Sequence, residues 1–295
     1  MDLKEIKHER RALEKFVFFL YRKAVANKQL CSLKCFREWL LAPMNYWRSI
    51  ELPFALKLLI PVMPGEKILD VGSPKLLSLF LSFYTQAEIY ATDLIDYFIP
   101  DFELLKKIFK LNNLKNEMCD ARNMQYPDEM FDKIFSISVV EHIPGNGDIK
   151  ALREFVRVLK PRGKIILTVP YHHTHINEYT KRPPYWVSER KQTYFFQRRY
   201  SYSTLHKRLV APGLKVEKEI FIAEKPLLKP YITSSGLYVH NYFFIDYYPL
   251  IFLLRKMEVP FITYYFYRLF SSVCHYLARP GDSNIRNVVL LLTKA

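Results

Sequence analysis

Three acidic residues follow successive apolar runs at spacings that favour a nucleoside site. Asp70 ends the first run just before Gly72, Asp93 ends the second, and Asp120 stands before Ala121 after a third. A glycine at such a turn allows the backbone to approach a ligand closely. A carboxylate after the second strand can accept hydrogen bonds from both ribose hydroxyls, and one after the third can accept from an adenine amine. Because ligands of open α/β sheets bind outside the carboxyl ends of the strands, we expect these acids to line one crevice.

A second set of chemical groups follows a later apolar run, Lys164–Val169. We expect this polar loop to line the substrate side of the crevice and to supply a general base. The candidates are Tyr171, His172, His173, His175 and Glu178. A metal site built from the three histidines and Glu178 is the alternative. Metal-binding histidines usually stand on fixed elements at defined spacing, so we predict no metal.

Apolar runs that suit strands alternate with amphipathic helices along the middle of the chain. This alternation predicts an α/β fold with a doubly wound, mostly parallel sheet. The predicted strands are 67–71, 88–92, 118–119, 133–138, 164–169, 214–223 and 287–293, and the predicted helices between them are 75–84, 102–111, 148–160 and 203–210. The sheet therefore has seven strands.

Two further segments flank or interrupt this pattern. Residues 1–58 have a helical apolar periodicity among basic residues and predict an N-terminal helical cap, so the main domain spans 59–295. An aromatic-rich insertion at about 225–285 precedes the last strand. We interpret it as extra core or a lid over the substrate, with contact to a membrane as the alternative, because Arg255, Lys256 and Arg268 lie among its aromatic residues.

Composition limits the classes of function. The chain has 295 residues, is half apolar and carries a formal net charge of +15. Its apolar content excludes a disordered or low-complexity protein. Its positive charge favours acidic partners, namely phosphate esters, an anionic lipid surface or nucleic acid.

Cysteine usage and targeting patterns indicate a cytoplasmic protein. The four cysteines form neither a disulfide framework nor a zinc pattern, which favours a reducing compartment. The charged N-terminus lacks the apolar core of a signal peptide. No run of about twenty uncharged apolar residues predicts a spanning helix, so membrane contact is expected to be peripheral.

The ordered set of motifs resembles the class I S-adenosylmethionine-dependent methyltransferases, specifically the group called methyltransferase type 11. The resemblance covers roughly residues 64 to 225 and the last strand. The segment Arg157–Gly163, followed by Ile165–Pro170, is its most specific piece. The other matching motifs are Ile68–Gly72, Thr92–Asp93, Asp120–Ala121 and Phe131–Ser138 with Glu141–His142.

The resemblance implies a Rossmann-like sheet with an antiparallel last strand and S-adenosyl-L-methionine as cofactor. The cofactor-binding residues that it implies are Asp70, Gly72, Ser73, Asp93, Leu94, Asp120, Ala121, Ser138 and His142. The chain departs from the family in the first turn, where Ser73-Pro74-Lys75 replaces two further glycines. Proline suits the first turn of a helix. Since an ammonium group would repel a sulfonium, we expect Lys75 to point away from the cofactor.

The resemblance therefore implies a methyltransferase acting on a small-molecule or lipid-linked acceptor. The positive charge leaves open an anionic acceptor and peripheral contact with an anionic membrane. The basic charge leaves a nucleic-acid methyltransferase as an alternative, although no RNA-binding module is recognisable. The altered first turn leaves a non-catalytic scaffold as another. A dinucleotide-dependent oxidoreductase fits less well because G-x-G-x-x-G is absent.

Overall fold

The computed structural model describes residues 3–27, 29–30, 33, 44, 47–72, 75–181, 183, 192–224 and 275–295. Its helices in that part of the chain are α1 (Lys7–Ala26), α2 (Arg48–Leu59), α3 (Leu76–Tyr84), α4 (Ile99–Phe109), α5 (Gly147–Val158) and α6 (Tyr202–Leu209). Its strands there are β1 (Lys67–Val71), β2 (Glu88–Asp93), β3 (Leu114–Met118), β4 (Phe131–Ile137), β5 (Leu159–Pro170), β6 (Ile176–Thr180), β7 (Tyr194–Arg199), β8 (Leu214–Glu224), β9 (His275–Ala278) and β10 (Ile285–Lys294).

The main sheet has eight strands in the order β3-β2-β1-β4-β5-β10-β8-β9. Strands β1 to β5 pair in parallel. Strand β10 runs antiparallel to both of its neighbours, β5 and β8. The sheet order reverses beside β1, so the carboxyl ends of β1, β2 and β4 meet at the position where open α/β sheets bind ligands.

Apolar side chains cover both faces of the sheet. One cluster includes Phe16 of α1, Phe54 of α2 and Phe102 of α4. The other includes Phe155 of α5 and Leu205 of α6. Strands β1, β2 and β4 are buried along most of their length, as expected for parallel strands between helical layers.

The predicted fold class is confirmed, with two additions. Six of the seven predicted strands are present near their predicted positions, and the last of them is antiparallel. The third, predicted at 118–119, instead spans Leu114–Met118, where polar residues conceal it. Strand β9 adds an eighth at the edge, antiparallel to β8. The polar segment after β5, which we predicted to be a loop, instead contains the antiparallel pair β6–β7. Alternation was hard to detect there because charged, aromatic and histidine residues are mixed.

The N-terminal helices share their apolar cluster with the sheet. Phe16 packs edge-to-face against Phe80 and Phe83 of α3, at ring-centroid distances of 5.4 and 5.2 Å. The domain boundary at residue 58 stays a prediction. Most of the aromatic insertion, residues 225–274, lies outside the described residues. Its interpretation as core, lid or membrane contact therefore stays a prediction.

The two phenylalanines of α1 provide a test of this packing. Phe16 is fully buried, whereas Phe18 is 53% exposed. We expect Phe16→Ala to lower the free energy of unfolding by about 3–5 kcal/mol, because it leaves a cavity. The matched control, Phe18→Ala, should change it by less than about 0.5 kcal/mol. Chemical denaturation followed by circular dichroism measures both, and equal effects would contradict the placement of α1.

Candidate functional site

The turn after β1 is formed by a glycine that no other residue can replace without strain. Gly72 has a φ of +65°, and a Cβ added there would lie 2.7 Å from Cγ1 of Val139. Its amide donates to the carbonyl of Thr92 at 2.8 Å, which joins the ends of β1 and β2. The positive φ at Gly72 thus suits a glycine, and its close approach to a ligand stays a prediction. Ser73 lies outside the described residues.

Asp70, at the end of β1, forms a buried ion pair with Lys75. Neither side chain is appreciably exposed, and Nζ of Lys75 lies 3.4 Å from Oδ2 of Asp70. The ammonium also donates to the carbonyl of Thr92 at 2.8 Å and lies 4.8 Å from the ring centroid of Phe98. The hydroxyl of Ser78 donates to the same carboxylate oxygen. Lys75 is thus turned onto Asp70, which balances its charge.

Asp93, at the end of β2, is buried next to this ion pair. Its carboxylate accepts from the backbone amides of Leu94 and Ile95 and from the hydroxyl of Tyr97. Burial raises the pKa of Asp93, while the nearby charge of Lys75 opposes that shift. Leu94 is 46% exposed and lies beside the carboxylate, where an apolar side chain can cover a ligand.

Asp120 follows β3 and is more open than the other two acids. It is held by Arg122, whose Nη2 donates at 2.6 Å, and this contact lowers the pKa of Asp120. The side chain of Asp120 is 33% exposed, and the neighbouring Ala121 is buried. A carboxylate oxygen has several lone pairs, so Asp120 can accept from a ligand amine while it holds Arg122.

The segment after β4 brings Ser138 and His142 together around Glu141. Ser138 has a φ of +56°, and its hydroxyl donates to Oε1 of Glu141 at 2.6 Å. Nδ1 of His142 lies 2.7 Å from the carbonyl oxygen of Phe196 in β7. Burial lowers the pKa of His142 to about 4, so its ring is neutral at pH 7. Burial raises the pKa of Glu141 to about 7.

The sequence analysis did not identify Glu51, a buried carboxylate of α2 that contacts β5 and β10. Oε1 of Glu51 accepts from Nδ2 of Asn287 at 2.6 Å and from the hydroxyl of Thr168 at 3.2 Å. Arg48 pairs with the other oxygen of Glu51. The charge of Arg48 lowers the pKa of Glu141, and the charge of Glu51 raises it. The sequence signal that could have identified it is an acidic residue, Glu51, within the mostly apolar helical segment Ile50–Leu59.

The four predicted catalytic candidates lie between β5 and β6, and two of them contact residues of β8 and α6. The ring of Tyr171 packs edge-to-face on Phe221 at 5.3 Å, and burial raises its pKa. The rings of His172 and His173 lie 3.9 Å apart, and Nδ1 of His175 lies 3.1 Å from the hydroxyl of Thr204. Burial lowers the pKa of both His172 and His175. Their catalytic role stays a prediction.

The remaining charged groups of this region pair with each other. Glu178 is buried in β6 and accepts from Nε of Arg199 at 2.5 Å. Arg198 lies 3.1 Å from the buried carboxylate of Asp148. Within the described residues, no group of three or more His, Cys, Asp or Glu side chains is placed to hold a metal ion. In the same residues, no helix has the length and apolar character needed to cross a bilayer.

Comparison with protein families matches residues 69–167 to the family described as methyltransferase domain. This segment contains Asp70, Asp93, Asp120 and Glu141. The match confirms, for that part of the chain, the resemblance that the ordered motifs indicated.

Curated relatives match over the same region. Phosphoethanolamine N-methyltransferase 1 of Zea mays is 30% identical over 144 residues, which are 46% of this chain and 25% of that protein. Sterol 24-C-methyltransferase of Pneumocystis carinii is 31% identical over 128 residues, which are 42% of this chain and 32% of that protein. The matched segments thus span a quarter to a third of these relatives.

Solved structures share the fold at low sequence identity. Geranyl diphosphate methyltransferase with GPP and sinefungin has a TM-score of 0.52 and 11% identity, covering 89% of this chain and 83% of that one. The MccD protein has a TM-score of 0.51 and 15% identity, covering 83% and 97%. The 4+2 cyclase SpnF has a TM-score of 0.50 and 16% identity, covering 85% and 86%. These likenesses support the fold alone.

The raised pKa of Glu141 predicts a pH-dependent stability. Its folded pKa of about 7 lies above the ordinary 4.5, so the folded protein holds this proton more tightly than the unfolded chain. The contribution is present below about pH 4.5 and is lost as the pH rises through 7. We expect wild type to lose about 3 kcal/mol relative to Glu141→Gln across this range.

Urea denaturation at a series of pH values measures this difference. His142 titrates with the opposite sign, because its lowered pKa favours the folded state above pH 6.5 and this is lost as the pH falls towards 4. Comparing wild type with Glu141→Gln cancels the His142 contribution. Glu129→Gln, at an exposed position, is the control and should follow wild type. Parallel curves for wild type and Glu141→Gln would contradict the raised pKa.

Proposed function

Since residues 69–167 form a methyltransferase domain, we propose that the chain is an S-adenosylmethionine-dependent methyltransferase acting on a small-molecule acceptor. The observation that carries the proposal is that Asp70, Asp93 and Asp120 end three neighbouring strands of this domain at one edge of the sheet. Positioning supplies most of the acceleration in such a reaction, because the nucleophile must be held in line with the methyl group.

The residues at this edge fit the nucleoside part of the cofactor. Asp93 is a buried carboxylate at the end of β2, so it suits two ribose hydroxyls, and Leu94 beside it provides an exposed apolar surface. Asp120 and Ala121 suit the adenine. Gly72 has a positive φ and no Cβ, so the backbone can turn there against Val139. These features support a cofactor site formed by Gly72 and the strand-end acids, and the part of Ser73 in that site stays a prediction.

The methionine part of the cofactor would bind near Lys75. S-Adenosylmethionine supplies an electrophilic methyl group on a sulfonium. The ammonium of Lys75 is paired with Asp70 at 3.4 Å, which reduces its repulsion of a second cation. The residues present therefore fit the cofactor, with Asp70 acting mainly to hold Lys75 in place.

The acceptor class follows from the relatives. Phosphoethanolamine and sterol, the acceptors in the names of the two curated relatives, are small molecules. An anionic or lipid-linked acceptor also suits the net charge of +15. Cytoplasmic location and peripheral contact with an anionic membrane stay part of this proposal. A nucleic-acid acceptor has no such support from the relatives.

Calorimetric titration with S-adenosylmethionine and S-adenosylhomocysteine tests the proposal. We expect Asp93→Asn to weaken both by at least tenfold, or about 1.4 kcal/mol, because a charged acceptor for two hydroxyls is lost. The matched control, Asp96→Asn, changes an exposed residue three positions further on and should bind like wild type.

The titration separates the proposal from its alternative. Thermal melting of each variant checks that the fold is retained, since Asp93 also accepts from the backbone amides of Leu94 and Ile95. If folded wild type binds neither compound, the methyltransferase proposal is wrong. The ion pair of Lys75 with Asp70 would then favour a scaffold that retains the fold without the cofactor.

A further inference from the structure

The solvent-facing side of α1 carries a line of basic residues with one aromatic residue among them. Exposed positions recur there at intervals of three or four residues, and together they form the α1 stripe. Its members are Lys7, Arg11, Lys15, Phe18 and Arg22. At about 100° per residue, these positions fall within about 80° of the helix circumference. At a rise of about 1.5 Å per residue, the stripe is about 22 Å long.

The positive charge of the α1 stripe is not balanced by acids of the same helix. Glu9 is buried, and Glu14 is only partly exposed. None of the four cations of the stripe forms an ion pair with another side chain in the described part of the chain. The stripe therefore presents four positive charges to the solvent along one line.

The opposite side of α1 is fixed to the core of the protein. Leu13, Phe16 and Leu20 are buried there. The rings of Phe16 and Phe19 lie 5.2 and 5.6 Å from the ring of Phe83 in α3. Tertiary packing thus holds the helix in place, so a partner that meets the stripe does not have to order the helix first.

The chemistry of the α1 stripe fits an anionic bilayer better than a nucleic acid. Four or more Lys or Arg on one helix are typical of binding to anionic headgroups, and each contributes about fivefold to the affinity. Around the helix, Phe18 falls between Lys7 and Arg11, and it is 53% exposed. An aromatic side chain among cations suits the boundary between headgroups and acyl chains. Contacts to a phosphate backbone need only the cations.

We propose that the α1 stripe is the surface through which the chain docks on an anionic lipid bilayer, with its cations on the headgroups and Phe18 at the boundary of the acyl chains. The inference rests on the proposed function, of which peripheral membrane contact is a part, and it names the surface that makes this contact. Docking raises the effective concentration of an acceptor that is itself part of the bilayer.

Cosedimentation of the full chain with vesicles of phosphatidylcholine and phosphatidylserine tests the cations. The stripe variant combines Lys7→Gln, Arg11→Gln and Lys15→Gln. We expect it to bind about a hundredfold more weakly than wild type, because three contributions of about fivefold are lost. Vesicles of phosphatidylcholine alone should bind wild type as weakly as the mixed vesicles bind the variant. Unchanged binding of the stripe variant to the mixed vesicles would overturn the inference.

A matched variant separates the surface from the net charge. It combines Lys150→Gln, Arg153→Gln and Lys207→Gln, at exposed positions of α5 and α6 on the other face of the sheet. Both variants lower the formal net charge of +15 by the same three units. The matched variant should bind the mixed vesicles within about twofold of wild type, because its charges lie away from the bilayer. An equal loss in both variants would show that net charge alone acts, and the inference would be wrong.

The aromatic residue distinguishes a bilayer from a nucleic acid. We expect Phe18→Ala to weaken binding to the mixed vesicles by about tenfold, because apolar burial is lost. Fluorescence anisotropy with a double-stranded RNA is run on the same proteins. If the stripe variant loses affinity for the RNA but keeps its affinity for the vesicles, the stripe is a nucleic-acid surface and the inference is overturned.

Calorimetry with S-adenosylhomocysteine separates this inference from the methyltransferase proposal. Wild type, the stripe variant and Phe18→Ala should bind the compound alike, because the stripe lies on the side of α1 that faces away from the core. Equal binding also shows that the variants keep their fold. If wild type binds this compound but no mixed vesicles, the docking surface is wrong and the methyltransferase proposal stands. If wild type binds mixed vesicles through the stripe but not the compound, the methyltransferase proposal alone is wrong.

Discussion

A buried carboxylate on α2 forms hydrogen bonds with two inner strands of the sheet, β5 and β10. Glu51 is 1% exposed and accepts from Thr168 of β5 and Asn287 of β10, which lie 117 and 236 residues away in sequence. A buried charge without partners costs several kcal/mol, so these contacts must form together. They place α2 beside the ends of β4, β5 and β10. The N-terminal segment therefore forms one wall of the crevice.

The cost of burying an unpaired charge also explains why each strand-end acid has a partner. Asp70 is paired with Lys75, Asp93 accepts from backbone amides, and Asp120 is held by Arg122. Each of these charges has a partner in the protein itself. Glu141, after β4, accepts in the same way from the hydroxyl of Ser138.

The shared fold does not determine the reaction. A cyclase has the same fold at a TM-score of 0.50, so chemistry must be argued from the residues of the crevice. The family match spans residues 69–167 and includes the strand-end acids and Glu141. Arg48, Glu51 and Asn287 lie outside it.

The sequence by itself determined the alternation of strands and helices and the acids at the ends of β1, β2 and β3, which depend on local periodicity and on positions within single elements. The antiparallel direction of the last strand was expected from the family resemblance alone. It did not reveal the pair β6–β7, because mixed polar and aromatic residues hide its alternation. Only the tertiary structure brought Glu51 and Asn287 together and turned Lys75 onto Asp70. Such contacts join residues far apart in sequence, and the burial that perturbs their charges exists only once the helices pack on the sheet.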